Sequence, residues 1–267
     1  MDKLEKKALL NCSIISFCQS PSFPLFSRLY LAMSKKFTPE KILTIDIGGT
    51  GLKACLLDSS GNFLEDYHKQ PTPRPANPEN ILDGIQKLAG TFSDFEAVSV
   101  GFPGYVRDGR VYTAPNLDNE SWKNLQLDDV ISKLLRKPCK VVNDADLAGL
   151  GIASGKGLEM VMTLGTGFGT AILNHGHLLP HLELSHAPAT KSKDYDAYIG
   201  EAALQEIGEK KWNERMQRVL DIFKTVVNYD FLYIGGGNAK KLQIPLEENI
   251  RIVHNRDGIK GGARLWG

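Results

Sequence analysis

Cysteine is scarce in this chain: there are four in 267 residues, and none stands in a C-x-x-C spacing. Cys12 and Cys18 fall in a Ser/Pro/Phe-rich leader, while Cys55 and Cys139 each lie inside an apolar, strand-like run. Neither a disulfide framework nor a cysteine zinc site is indicated, and a reducing, cytoplasmic setting is expected. Long apolar runs are missing as well; nothing approaches the roughly 20 residues a membrane helix needs, so no membrane partner is expected. An excess of one charge is also absent, since 32 Lys and Arg face 31 Asp and Glu. That balance argues against bulk nucleic-acid binding.

The balance conceals an asymmetry. Residues 1–36 carry six basic and two acidic side chains, a net of +4, which leaves the other 231 residues near −3. A targeting peptide would have this basic start followed by Ala8-Leu9-Leu10, but polar residues from Asn11 to Ser20 interrupt the apolar core it requires. The reading taken is an unstructured extension, with Met33 an alternative start.

From Lys41 the pattern is regular. The β-branched run Ile42–Ile47, the turn Gly48–Gly51, the run Leu52–Leu57 and the turn Asp58–Gly61 predict a β-meander. Asn77-Pro78-Glu79 supplies a cap, a Pro at the first helical position and a first-turn acid, predicting a helix to about Leu88. A buried strand over Phe95–Gly101, a hairpin turning at Asp108-Gly109, a helix over Leu127–Arg136, a strand over Cys139–Val142 and a helix over Ala145–Ser154 follow. With Asp46 laid on Thr163, strand, glycine turn, strand, polar turn and strand recur at an offset of 117 residues. That is a weak internal duplication. Helices over Tyr195–Gly208 and Trp212–Val227, then a strand over Asp230–Ile234 running into Gly235-Gly236-Gly237, complete the chain. The expected fold is α/β, with lobes at 37–144 and 145–267 around a cleft and the last helix packing back on the first lobe.

Two glycine hairpins, one per half, would face that cleft. Glycine permits positive φ and leaves backbone N–H groups open to phosphate, and Thr50 and Thr166 add hydroxyls. Neither hairpin fits the G-x-x-x-x-G-K-[ST] or G-x-G-x-x-G patterns, which disfavours Walker-type and dinucleotide-binding folds. Asp144 lies where a strand gives way to a helix, and two roles are open to it: helix cap, or the carboxylate that takes the proton from an attacking hydroxyl. Asp146, two residues on, points elsewhere on the helix.

Asp46-Ile47-Gly48-Gly49-Thr50 with Lys53 resembles the first phosphate motif of the actin, hexokinase and Hsp70 superfamily, and Thr163–Gly169 resembles its second. Val142-Asn143-Asp144-Ala145-Asp146 and Glu183-Leu184-Ser185-His186 are similar to sugar kinases of the ROK family (repressors, open reading frames, kinases), from about residue 41 onward. Within that family the resemblance is strongest to the polyphosphate-using glucokinases. It implies a two-lobed actin/hexokinase-like (ribonuclease H-like) fold and Asp144 as catalytic base. Glucose would contact Asn116, Asn143, Asp144, Glu183 and His186, with Asp196 where many members place a sugar-binding Glu. The phosphate donor, polyphosphate or ATP, would lie on Asp46, Gly48, Gly49, Thr50, Lys53, Thr166, Gly167 and Gly235-Gly236-Gly237-Asn238. Mg²⁺ is expected, held through water by Asp46.

Two departures from the family pattern stand out. Ser185 replaces the Gly of E-x-G-H, and residues 187–200 lack the cysteines of the zinc motif many members carry, so no zinc is expected. For the donor tail, Gly235–Asn238 would open a helix near Lys240-Lys241, and Arg251, Arg256, Lys260 and Arg264 form either a basic track or a solvated face. A homodimer is expected. The alternatives are an ATP-dependent hexokinase acting on glucose or an N-acetylated amino sugar, and a sugar-responsive repressor. The repressor would need a helix-turn-helix that the leader is too short to hold.

Overall fold

The computed structural model describes residues 37–267; the leader, with Cys12 and Cys18, lies outside the described residues. β1 (Lys41–Ile47), β2 (Gly51–Asp58) and β3 (Phe63–Pro71) form the meander, followed by α1 (Pro78–Ala89) and β4 (Ala97–Phe102). The hairpin β5 (Val106–Arg107)/β6 (Arg110–Val111), then α2 (Asn119–Trp122), α3 (Leu127–Leu135), β7 (Cys139–Asn143) and α4 (Asp144–Ile152) complete the first half. The second half opens with β8 (Leu158–Leu164), β9 (Phe168–Asn174) and β10 (His177–Leu178), a second meander. α5 (Tyr195–Ile199), α6 (Glu201–Val227), β11 (Phe231–Gly235), β12 (Ile250–Ile252), α7 (Asn255–Gly258) and α8 (Gly261–Arg264) follow.

The strands assemble into two five-stranded sheets of matching order, β3-β2-β1-β4-β7 and β10-β9-β8-β11-β12. In each, the first strand runs antiparallel to the second and parallel to the strand on its other side. β1 and β8 are equivalent central strands, so Asp46 and Thr163 occupy matching places and the offset read from the sequence is structural. The hairpins differ by one residue, four joining Ile47 to Leu52 and three joining Leu164 to Phe168. Local chemistry explains the elements. Asn77 Oδ1 accepts from Asn80 N at 3.0 Å and caps α1. Asp108 and Gly109 both have positive φ, as do His175 and Gly176, which is the geometry that lets a two-residue turn match strand twist.

One expectation needs correction. The helix read over Tyr195–Gly208 is interrupted at Gly200, which is extended, and α6 is bent at Gly208, where φ is +76°. A β-carbon at Gly200 would meet the Asp196 carbonyl oxygen at 2.6 Å, so glycine is what allows the two helices to meet there.

Among the described residues the core has four parts, one of them Leu150, Ala153, Val161, Ala171, Leu173 and Tyr233, where α4 meets the second sheet. Ile45, Ile47, Ile81, Ile85, Phe102 and Trp122 pack under the first sheet. Met160, Met162, Trp212, Met216, Leu220 and Phe223 pack under the second. The last is built by the end of the chain: Ile259, Ala263 and Trp266 lie against Ile42, Cys55, Leu57 and Ala97 of the first sheet. The Trp266 indole N–H donates to Ser99 Oγ at 2.9 Å, and Ser99 Oγ donates to the Gly262 carbonyl at 2.7 Å. Gly262 sits so close to β1 that a β-carbon there would lie 2.1 Å from Thr44 Oγ1. Gly262→Ala should therefore destabilise the protein by about 1–3 kcal/mol through overpacking, read as a lower urea midpoint at unchanged m-value.

Candidate active site

Both central strands end at the same cleft, of about 740 Å³. At the first hairpin the Gly48 carbonyl accepts from Thr72 Oγ1 at 2.6 Å, and the Gly49 carbonyl accepts from Arg74 Nη2 at 2.6 Å. With those carbonyls engaged, what the turn retains for a ligand is N–H groups and the exposed Thr50 hydroxyl. At the second hairpin Gly165 N donates to the Gly167 carbonyl at 3.0 Å, and Thr166 is exposed at the tip. Gly235, Gly236 and Gly237 line the cleft beside it.

Asp46 and Lys53 face the cleft as neighbours across β1 and β2, Nζ lying 3.2 Å from Oδ2. Asn116, Asn143, Asp144, Glu183, His186 and Asp196 also line it. Asn238 does not: its side-chain amide donates to the Gly165 carbonyl at 3.2 Å and to Glu201, and its backbone N–H donates to the Leu164 carbonyl. It braces the second hairpin rather than lining the cleft. The segment after it is a 3₁₀ turn, Ala239–Lys241, too short to offer a helix N-terminus, which corrects that expectation.

Of the two readings of the C-terminal basic residues, a continuous track is not what the structure forms. Arg264 Nη1 donates to the Leu150 and Ala153 carbonyls and closes the end of α4. Lys260 pairs with Asp257 at 2.8 Å, and Arg251 lies over the Phe231 ring. Of the four, Arg256 alone lines the cleft, paired with Asp66 at 3.1 Å.

The cap of α4 is supplied chiefly by the neighbour of Asp144. Asn143 Oδ1 accepts from Ala145 N at 2.8 Å and from Asp146 N at 3.4 Å, so Asn143 caps α4. Its amide donates to the Gly104 carbonyl at 3.0 Å, so this buried side chain lines the cleft with its main bonding capacity already engaged. Asp144 is left half-buried one residue further on, its Oδ1 accepting only the Ala145 N–H, at 2.8 Å. Burial, and then the negative charges of Asp46, Glu183 and Asp146, push its carboxyl up to about 7. Asp196 stands beneath the second hairpin, where its Oδ1 accepts from Phe168 N at 2.7 Å. His186, about half exposed, lies 3.4 Å from Asp194. Ser185, the departure from E-x-G-H, donates to Glu183 Oε2 at 3.2 Å.

One cleft residue was not legible in the sequence. His181 has a side chain only 6% exposed, with Nδ1 2.9 Å from Asp146 Oδ2 and Nε2 3.5 Å from Glu183 Oε1. Burial lowers its affinity for a proton, but Asp146 and Glu183 outweigh this and hold it at about 9. For Glu183, burial acts upward and the His181 imidazolium outweighs it, so the carboxylate is held below its usual range. The only hint was a His two residues before the Glu, in a chain with six histidines.

Residues 42–182 match the model of the ROK family. The chain belongs to that family. A polyphosphate glucokinase from Mycobacterium tuberculosis is 33% identical over 240 residues, which is 82% of this chain and 88% of the relative. The inorganic polyphosphate/ATP-glucomannokinase of Arthrobacter sp. strain KM has a similar structure, with a TM-score of 0.75, 30% identity, and coverage of 86% of this chain and 98% of that one. A ROK glucokinase of Streptomyces griseus, solved with glucose and AMPPNP, shares the fold at a TM-score of 0.69 and 21% identity, over 84% of this chain and 98% of that one. The actin/hexokinase-like architecture of ROK sugar kinases is thus the architecture of this chain.

Asp144 also makes a stability prediction. Its folded value of about 7 lies above the ordinary 3.8, so the folded state holds a proton that the unfolded state has released. Stability associated with it is complete below about 3.8 and is lost as pH rises through 7. Asp144→Asn should raise the melting temperature of the ligand-free protein more at pH 8 than at pH 4, as read by thermal melts across that range. Equal shifts at both pH values would remove the buried-charge account.

Proposed function

We propose that this chain is a glucose kinase that transfers the terminal phosphoryl group of inorganic polyphosphate, or of ATP, to the 6-hydroxyl of glucose. The observation that carries this reading is Asp144: a carboxylate freed from capping, at the cleft edge of both sheets, with an affinity for protons close to neutral. A sugar hydroxyl is too weak an acid to attack unaided, and a base titrating near the working pH accepts its proton as the O–P bond forms. The M. tuberculosis and Arthrobacter relatives support both sugar and donor.

In this reading the two hairpins hold the donor through N–H groups and the Thr50 and Thr166 hydroxyls, with Lys53 and the Gly235–Gly237 turn beside them. Asn116, Glu183 and His186 accept and donate hydrogen bonds to the sugar. Asp144 orients the attacking hydroxyl and removes its proton. Residues 37–144 and 145–267 act as two lobes whose closure excludes water. Among the described residues no three His, Cys, Asp or Glu side chains converge on a metal site, which suits an ion held mainly by phosphate oxygens and water. Mg²⁺, with Asp46 as its water-mediated protein partner, would neutralise the donor's charge. Among the described residues no helix is long and apolar enough to cross a membrane, and the reading places the enzyme in the cytoplasm as a homodimer.

Purified protein should form glucose 6-phosphate with Mg²⁺ and polyphosphate; turnover with ATP alone would remove polyphosphate from the assignment. Asp144→Asn should bind glucose nearly as well as the wild type while kcat falls by roughly 10²–10⁴. The wild-type rate should fall as pH drops below about 7, because the base is lost on protonation. A near-normal kcat in the variant would leave Asp144 without a catalytic role.

A further inference from the structure

His181 lies between α4, which begins at the proposed base, and the segment that carries Glu183. Asp146 of α4 stands 2.9 Å from Nδ1, and Glu183 stands 3.5 Å from Nε2. From the segment between β4 and β5, the Tyr105 ring stacks on the imidazole at 6.0 Å between centroids. His186 acts on this cluster through Glu183, and Asp144 interacts with both Glu183 and Asp146. The Nδ1 approach is close but off the N–H direction, so charge carries that contact more than hydrogen-bond geometry does.

A neutral imidazole has one N–H and one lone pair. Placed between two carboxylates, it would aim that lone pair at an anion in a buried setting, which is repulsive. Doubly protonated, it answers both. Asp146 is itself buried, does not line the cleft and, among the described residues, has no cation other than His181 within ion-pair distance, so removing the proton would leave the buried Asp146 uncompensated and take the imidazolium from the partly exposed Glu183. The two oxygens of Glu183 are fixed separately, Oε1 toward His181 and Oε2 toward Ser185.

Building on the reading of Glu183 as a sugar-contacting group, we propose that His181, as an imidazolium bridging Asp146 and Glu183, is a positioning residue that sets glucose affinity. It fixes the Glu183 carboxylate in its ionised form and in one orientation, so that its remaining lone pairs accept from sugar hydroxyls. His181 does not touch the reacting atoms. Its effect therefore falls on KM for glucose, with little on kcat and none on the donor.

The test is steady-state kinetics of the full-length protein from pH 6 to 10, with His181→Gln and His181→Leu compared with wild type. In the wild type, KM for glucose should climb as pH passes about 9, while KM for polyphosphate does not follow. His181→Leu should raise KM for glucose roughly 10- to 100-fold at pH 7, the loss expected for a hydrogen bond to a charged group. His181→Gln, with one neutral donor, should recover part of that loss and abolish the alkaline rise. Unchanged glucose KM in both variants, or a fall in kcat without a change in KM, would overturn the proposal.

Should the variants fold poorly, the wild type decides by ¹³C NMR of labelled histidines, with the His181 resonance assigned by its through-space contacts with the Tyr105 ring. A ring still doubly protonated at pH 8 supports the bridge, and titration near 6.5 overturns it. If the wild type phosphorylates no glucose, the functional reading has failed and the sugar-facing part of this proposal fails with it, whereas normal turnover with a ring that titrates near 6.5 rejects His181 alone.

Discussion

The cleft depends on one junction, where β7 ends at Asn143 and α4 begins at Asp144 with no residue between them. A strand leading directly into a helix leaves the first-turn N–H groups without partners, and here the Asn143 side chain supplies one while its amide ties back to the Gly104 carbonyl. Because Asn143 takes the cap, Asp144 does not have to. The same helix packs against β9 of the second sheet and β4 and β7 of the first, so the junction that frees the carboxylate also sets its place relative to both glycine hairpins.

Negative charge is the second organising constraint. Asp46, Asp144, Asp146 and Glu183 are crowded around one end of the cleft, and the structure treats them differently. Asp46 has Lys53 beside it, and Asp146 and Glu183 share His181. Among the described residues Asp144 has no cationic partner within ion-pair distance, and it is pushed up to about 7; Asp146 is raised too, its burial outweighing the His181 charge. Burial of a carboxylate among others, with no cation of its own, gives one carboxyl whose affinity for protons lies near neutrality.

Much of this was legible in the sequence because it is written locally. The two meanders, the Asn77-Pro78 helix start and the Asp108-Gly109 and His175-Gly176 turns follow from side-chain period and backbone preference within a few residues. The duplication was visible because both halves repeat the same short signals. Expectations failed where a residue's partner comes from elsewhere in the chain. Asn238 read as a donor ligand, but the second hairpin and Glu201 claim its amide; Arg264 stood open between a basic track and a solvated face, and the end of α4 claims it. Gly200 ended a helix that periodicity alone would have continued, since the Asp196 carbonyl leaves no room for a β-carbon.

The sequence by itself determined the fold class, the duplicated sheets, the glycine hairpins and the short list of polar residues from which a sugar-phosphorylating site would be drawn. These depend on local propensity and on motifs whose residues are adjacent. Only the tertiary structure decided which residue caps α4, which carboxylate is left without a cation, and that His181 bridges Asp146 to Glu183. Each of those is a matter of burial and of charges brought together from distant parts of the chain, and electrostatic environment exists only once the chain has folded.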